Sequence, residues 1–503
     1  MNKKILAIAI VAIIIAASAA VVLTVNGKSN GFKPSAYPDS HLTVLGNADL
    51  DERISDSDVT VIENFISSGK SFDVEKDYMM DANNDGKIDQ ADVDKVRAMI
   101  SALSSKDWSA VGTVHYVNVD YEIASYDMTK SNKVITLIAP PLDSVLAMGG
   151  KDLVVGFDNR ITTGKYHSEY ARTFDFTPGK MYDVGDCNEP STQVITQACK
   201  DLGSVNVVCG TKDSYGPTME SVFKGTDVQV IRIASWEFGG TLYGFLTLGF
   251  LLKMTEGAEA YVTWYNGVHQ LVEDIVASVP ASKKAAGEVG ATCAYGYLDE
   301  LSLLGNYTGE YANLMVLDPY DSAEAYLKGK NSGGHGDTIT SEGVTAMYQQ
   351  YHLKHLLLML GTPFQIYAAK GDAQATANNF VAMYKHCDET IGLDKMPGLE
   401  VSITDFYYSS GMSEVLNQLI QCYFMYHDEF LTYFKCSDDK AAHDVLAGYV
   451  DAYCKAISID GLWSFYGEEN GGKAGTHGMN LLYCGEGDSR NIMYGMDSGV
   501  LKF

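Results

Sequence analysis

Twelve residues, Asp81 to Asp92, read DANNDGKIDQAD and set oxygen-bearing side chains at alternate positions around one glycine. A hard cation of calcium's size takes six to eight oxygens, and a short loop supplies them when ligands alternate and the chain turns sharply midway. Asp81, Asn83 and Asp85 fall at loop positions one, three and five. Gly86 takes the turn, Lys87 offers its backbone carbonyl, Asp89 acts through water, Asp92 closes the shell and Ile88 packs inward. This is the chemistry of cation capture, not of bond breaking.

A shift of 34 residues, from 81 back to 47, finds a second copy, NADLDERISDSD, with Asn47, Asp49, Asp51, the carbonyl of Arg53, Ile54 inward and Asp58 closing. The stretches that follow repeat as well: Val59, Ile62, Phe65 and Ile66 map onto Val93, Val96, Met99 and Ile100, one apolar stripe at helical spacing in each copy. Two loop-helix units that each bury one stripe are expected to pack on each other. Over residues 43–103 this pair resembles a type I dockerin, the calcium-dependent module that binds cohesin domains in extracellular assemblies. The resemblance implies a small all-α calcium module whose partner is a cohesin-domain protein, recognised through Asp56 and Ser57 in the first copy and Gln90 and Ala91 in the second. An ordinary EF-hand would place a helix before each loop and a closing Glu, whereas these loops close with Asp. Glu52 stands where Gly86 stands. A side chain in a left-handed turn costs about 1 kcal/mol or more, so the first loop is expected to be the weaker site.

The elements that must accompany this module are bounded by composition. A chain of 503 residues with 46% hydrophobic content exceeds one ordinary domain. Its 37 basic against 64 acidic residues give a formal charge of -27, which excludes a general nucleic-acid surface. Residues 1–30 set Lys3 and Lys4 before an uncharged run from Ile5 to Val25, the length of a bilayer span, and Ala17 to Ala19 also suit a signal peptidase. The segment therefore reads as a signal peptide or a membrane anchor, and the chain as exported, on the extracellular face of the membrane. Nine scattered cysteines with no CxxC read mostly as small buried hydrophobes.

After a linker or strand at 104–130, the text NKVITLIAPPLDSVLAMGGKDLVVGFD reads strand, turn, helix, strand, and VNVVCG and VQVIRI add further strands. A helical pattern at 246–280 runs to Pro280 and reads as a stiff connector between a first lobe at 131–245 and a second at 285–503. The expected fold class is α/β: two lobes joined by one long helix, preceded by the calcium module and the apolar leader. Over residues 131–456 this arrangement resembles the helical-backbone substrate-binding proteins of ABC importers. That resemblance rests on the stretch just quoted, on Asp183 to Gly185, on LGFLLKMTEGAEAYV and on FYYSSGMSEVLNQLIQCYFMYHDEFL. It implies capture of an iron chelate, corrinoid, haem or related metal-bearing ligand in a cleft between the lobes, and delivery to an ABC permease. Gln193 stands where the family carries a permease-docking glutamate, and Glu342 is the nearest match in the second lobe.

Ligands of open α/β sheets gather at the carboxyl ends of strands. Strand ends and the resemblance together nominate Pro140, Pro141, Asp158, Asn159, Arg160 and Trp236, with Tyr295 and Tyr297 from the second lobe and His335 in a glycine-rich loop. The guanidinium of Arg160 suits a carboxylate or phosphate, and the 32 tyrosines offer rings that stack on a macrocycle or catecholate, most of them being core. His352 and His355 read as a pair on one helix face. The sequence carries no GxSxG, HExxH, Walker loop or dinucleotide fingerprint, and it reads as a binder, not an enzyme. The rival is a dockerin-bearing extracellular glycoside hydrolase or other polysaccharide-processing enzyme.

Overall fold

The computed structural model describes residues 41–163, 170–171, 173–235, 241–282, 289–295, 303–306, 345, 348–349, 353–360, 396, 400–405, 412, 414–457, 482–484 and 490–492. The described residues divide into two compact units, the first running up to Trp264 and the second from Tyr265 to Lys455. Trp236, Tyr297, His335, His352 and Glu342 lie outside the described residues, as does the apolar run at 5–25. Among the described residues no helix is long and apolar enough to cross a membrane.

The first unit begins with the two loop-helix copies. Helices α1 (Asp56–Ser68) and α2 (Gln90–Ser105) each open on a capping box, Ser55 with Asp58 and Asp89 with Asp92. Each box satisfies two orphan N–H groups of the first turn. Val59, Ile62, Val93, Val96 and Met99 are buried between the helices, while the far end of the α1 stripe turns outward at Ile66, which is 39% exposed. Arg97 pairs with Glu63 across the two helices at 2.6 Å.

The stretch after α2, expected as a linker or strand at 104–130, is a hairpin. Strand β1 (Thr113–Val117) pairs antiparallel with β2 (Ile123–Asp127). Asn118 makes the reversal: its side-chain oxygen accepts the N–H groups of Asp120 and Glu122, both at 2.9 Å, and its carbonyl accepts that of Tyr121.

A five-stranded parallel sheet follows, in the chain order β3 (Val134–Thr136), α3 (Ala139–Ala147), β4 (Val154–Phe157), α4 (Asn159–Thr162), β5 (Tyr182–Asp183), α5 (Thr192–Leu202), β6 (Val205–Cys209), α6 (Met219–Val222) and β7 (Val228–Arg232). Its strand order is β5-β4-β3-β6-β7. Chain direction along the sheet therefore reverses between β3 and β6, the place where such sheets open a crevice at their carboxyl edge. Val134 to Thr136 and all of Val205 to Cys209 are buried, which explains their near-continuous apolar runs. Gly156 lets β4 approach β5 closely, because a Cβ there would stand 2.5 Å from the Tyr182 carbonyl oxygen.

The connector expected at 246–280 is two helices, α7 (Thr241–Leu251) and α8 (Thr255–Ser278). Lys253 at φ 62 breaks the run, and the chain folds back so that Met254 N–H donates to Gly249 O at 2.7 Å. The division between the units falls inside α8.

The second unit holds a six-stranded mixed sheet. Strands β8 (Val289–Tyr295), β10 (Leu353–Leu360) and β11 (Glu400–Asp405) run parallel, with β9 (Leu303–Asn306) antiparallel at one edge. Helices α9 (Glu414–Met425), α10 (His427–Phe434) and α11 (Asp439–Ala456) precede β12 (Leu482–Cys484) and β13 (Arg490–Ile492), which add antiparallel at the other edge. Tyr423, Phe430 and Phe434 form an aromatic chain among the helices. His355 stands in β10, so the helical spacing assumed for it with His352 does not hold. The run LKHLLLML is apolar enough for a buried parallel strand, and over so short a stretch periodicity does not separate strand from helix.

Candidate functional site

Two sites are built in the first unit. In the loops, the 34-residue repeat extends to individual hydrogen bonds. Asp49 accepts from Asp51 N and Asn83 from Asp85 N; Asp51 accepts from Arg53 N and Asp85 from Lys87 N. Asp58 accepts from Asp49 N and Ser55 N, and Asp92 from Asn83 N and Asp89 N. Leu50 and Asn84, also one repeat apart, share a left-handed backbone at φ 58 and 55. Side chains that accept from the N–H two residues on are the natural device of an Asx-rich loop.

The copies part at positions one and six. Asp81 accepts from both Asp85 N and Gly86 N, and Gly86 takes a left-handed turn at φ 83. Asn47 instead donates from Nδ2 to Leu42 O and Asp51 O, both at 2.7 Å, and Glu52 is buried without a positive φ. The strain expected at Glu52 is therefore absent. The loop relieves it by rerouting its backbone, held by an amide donor that an aspartate at position 47 would lack.

The donor set fits a hard cation. Asp58 and Asp92 are fully buried, and burial with the negative charge of neighbouring aspartates pushes their carboxyls up, Asp58 to about 7. Asp51 is raised by burial and by Asp49 as well. Asn47 is buried completely, its Nδ2 edge is taken, and its Oδ1 has no hydrogen-bond partner. Among the described residues, however, no three His, Cys, Asp or Glu side chains already converge as a metal cluster; their oxygens serve loop N–H groups. Asp56, Ser57, Gln90 and Ala91, the expected partner-recognition residues, are all exposed at the starts of α1 and α2.

The second site lies at the carboxyl edge of the parallel sheet. Asp158 ends β4 fully buried and accepts from Ile138 N, beyond β3, and from Arg160 N at 2.8 Å. Burial pushes its carboxyl up, and the two N–H groups pull it partly back. Asn159 N donates to Gly185 O at 2.7 Å, and Thr162 donates to Asp183 at 2.6 Å, so the loops after β4 and β5 are tied together. Arg160 is half-buried with its guanidinium against the Tyr215 hydroxyl. Cys187 is buried beside it; burial pushes this thiol up to about 11 while Arg160 draws it down.

Tyr215 is held from beneath. Arg232, 1% exposed at the end of β7, donates to the carbonyls of Gly210, Tyr215 and Gly216 at 2.7 to 2.9 Å and pairs with Glu220. Pro140 is half-buried in the first turn of α3, Pro141 is buried, and Asn159 is exposed. Tyr295 ends β8 in the other unit. Sequence reasoning thus placed Asp158, Asn159 and Arg160 at one edge but missed Tyr215, Cys187 and Ile138. Only the SYG of a turn after β6 hinted at Tyr215. Cys187, Cys209 and Cys422 are buried free thiols, the role expected of them.

The fold defines an α/β protein whose first unit carries a doubly wound parallel sheet. No protein-family model matches the sequence, and no curated protein does. Among solved structures it is similar to a TroA-like periplasmic binding protein, FepB, from Veillonella parvula, at 13% identity over 67% of this chain and 95% of that one, TM-score 0.44. It is similar also to a periplasmic heme binding protein from Pseudomonas aeruginosa, at 15% identity over 59% and 93%, TM-score 0.39. A third, the Haemophilus influenzae molybdate binding protein MolA, is 14% identical over 68% and 97%, TM-score 0.41. With scores this low, none of the three defines what this chain binds.

Proposed function

We propose that the chain is an extracytoplasmic solute-binding protein of an ABC importer that captures an iron chelate, corrinoid, haem or related metal-bearing ligand. The observation that carries this reading is the carboxyl edge at the β3/β6 reversal, where Asp158 and Arg232 fix the loops that present Arg160 and Tyr215. A guanidinium beside a phenol suits an anionic, ring-bearing chelate. The protein binds and releases its solute without a covalent step, and a membrane permease takes the solute on. The apolar leader, as a signal peptide or a membrane anchor, brings the protein to the outer face of the membrane.

The loop-helix pair is the dockerin-like part of the same reading. Asn47, Asp49, Asp51 and Asp58 with the Arg53 carbonyl, and Asp81, Asn83, Asp85 and Asp92 with the Lys87 carbonyl and Asp89 through water, are the calcium ligands. Calcium supplies the positive charge that the buried carboxylates of Asp58, Asp81 and Asp92 and the orphan Asn47 oxygen lack, and a cohesin-type partner reads the exposed helix starts.

A thermal-shift panel of ferric siderophores, haem, corrinoids and molybdate tests the solute. A rise in melting temperature with at least one member is expected. No shift with any of them, together with polysaccharide hydrolysis by the purified protein, overturns the reading in favour of a hydrolase.

A further inference from the structure

The calcium-loop module is not a separate bead on a linker. The segment leading into the first loop lies along the β1–β2 hairpin: Leu45 N donates to His115 O, Val117 N donates to Thr43 O, and Val44 bridges to Tyr116. The hairpin is tied to the sheet in turn, through Asp127 N to Gln229 and Lys212 N to Asp120. The module also reaches the helices α7 and α8 directly. Thr43 and Thr247 share a buried hydroxyl pair at 2.8 Å, Trp108 packs edge-on against Phe250, and Lys106 pairs with Glu256.

The first loop itself makes two further connections. Asp51 O accepts from Leu42 N at 2.9 Å, and Asn47 Nδ2 holds Leu42 O, so the loop fixes the residue next to Thr43. Arg53, whose carbonyl is the loop's seventh-position ligand, sends its guanidinium to Glu259 of α8 at 2.8 Å, with both side chains mostly buried. The backbone that a cation would order is thus the backbone from which a partly buried ion pair reaches the long helix. The unpartnered buried oxygen of Asn47, on the edge opposite its two donor bonds, points to a cation in this first loop independently of the carboxylates.

We infer that the first loop is a calcium-dependent brace on the solute-binding lobe, joining cation occupancy to the order of the amino-terminal half of α8 through Arg53 and Glu259 and of α7 through Thr43 and Thr247. The inference rests on the calcium reading of the loops. It adds that the module works on its own chain as well as on an external partner. An opening of the α8 end that also opens the first loop must release calcium, so occupancy suppresses that opening by the factor 1 + [calcium]/Kd.

Amide hydrogen exchange of the full chain, in calcium chloride and in chelator, reads this directly. With calcium at 100 times its Kd, protection is expected to rise in residues 47–58 and, by up to about 100-fold, in residues 255–264. Protection that rises in the loops and stays unchanged in 255–264 overturns the brace while leaving calcium binding intact. No change in either overturns both. Glu259→Gln should keep the gain in the loops and lose most of the gain in α8; a variant that keeps the full gain there overturns the Arg53–Glu259 connection.

Discussion

The carboxylate of Asp158 accepts the backbone N–H of Ile138 from across a neighbouring strand end, and Ile138 holds φ 66, ψ 165, a region β-branched residues almost never enter. Such a conformation costs of order 1–3 kcal/mol and persists only where its surroundings fix it. Asp158 is the fixing group, since it also caps α4 through Arg160 N. Asp158→Ala would leave two N–H groups without their acceptor and is expected to cost roughly 2–4 kcal/mol in denaturant unfolding. Asp158→Asn keeps one acceptor and should cost less. Equal stability of Ala and wild type would remove Asp158 from this role.

Arg232 and Glu220 hold the loop that carries Tyr215. Burial alone would raise the Glu220 carboxyl, but the Arg232 guanidinium outweighs it and leaves the carboxyl below its ordinary 4.5. Protonation therefore favours the unfolded chain. The contribution is complete above pH 4.5 and is lost as the pH falls through the lower folded value. Glu220→Gln should flatten this acid limb of the stability curve. Glu220 is partly exposed, so its loss is screened, whereas Arg232→Met strands three carbonyls and is expected to cost more, about 3 kcal/mol or above.

What the sequence made readable follows from which interactions are local. Asp49, Asp51, Asn83 and Asp85 bond the N–H two residues on, so their spacing alone announced the loops. Val134 to Thr136 and Val205 to Cys209 showed as buried strands because parallel strands are apolar on both faces. Thr43 and Thr247, 204 residues apart, leave no periodic trace, so the docking of the module on α7 and α8 stayed hidden. The break at Lys253 was hidden too, because lysine carries no turn signal, and so was the escape of Glu52 from the left-handed turn, which depends on the donor edge of Asn47.

The loops differ in how they should respond to change. Gly86 takes φ 83 with open space around its missing Cβ, so Gly86→Ala is expected to cost about 1–2 kcal/mol from backbone strain alone. Glu52→Gly should bring no such gain in the first loop, because Glu52 has no positive φ to relieve. A first loop clearly stabilised by Glu52→Gly in thermal unfolding would contradict this.

Calcium affinity should follow the same asymmetry. Asp81 offers a carboxylate that already accepts two loop N–H groups, while Asn47 offers one neutral oxygen. Asp81→Ala is expected to weaken binding at its loop about tenfold or more, the equivalent of losing 1.4 kcal/mol, and Asn47→Ala to weaken the other loop less. Titration calorimetry on the full chain checks the order, and a reversed order counts against the second loop as the tighter site.

Arg160 separates binding from folding. Its backbone is pinned by Asp158 at 2.8 Å, but its guanidinium is half-buried and, among the described residues, meets the Tyr215 hydroxyl and the field of Cys187 and Asp158. Arg160→Gln should therefore change stability little, within about 0.5 kcal/mol. A charge-assisted hydrogen bond to an anionic ligand is worth about 1.5–3 kcal/mol, so affinity for a carboxylate- or catecholate-bearing chelate should fall roughly tenfold to a hundredfold. Arg160→Lys restores the charge without the planar fork and should recover part of that loss. Because the interaction is with charge, a neutral ligand should bind both variants as it binds the wild type. If an anionic chelate that shifts the wild type binds Arg160→Gln equally well, Arg160 is an ordinary loop residue, and the solute must be gripped by other groups along the same sheet edge.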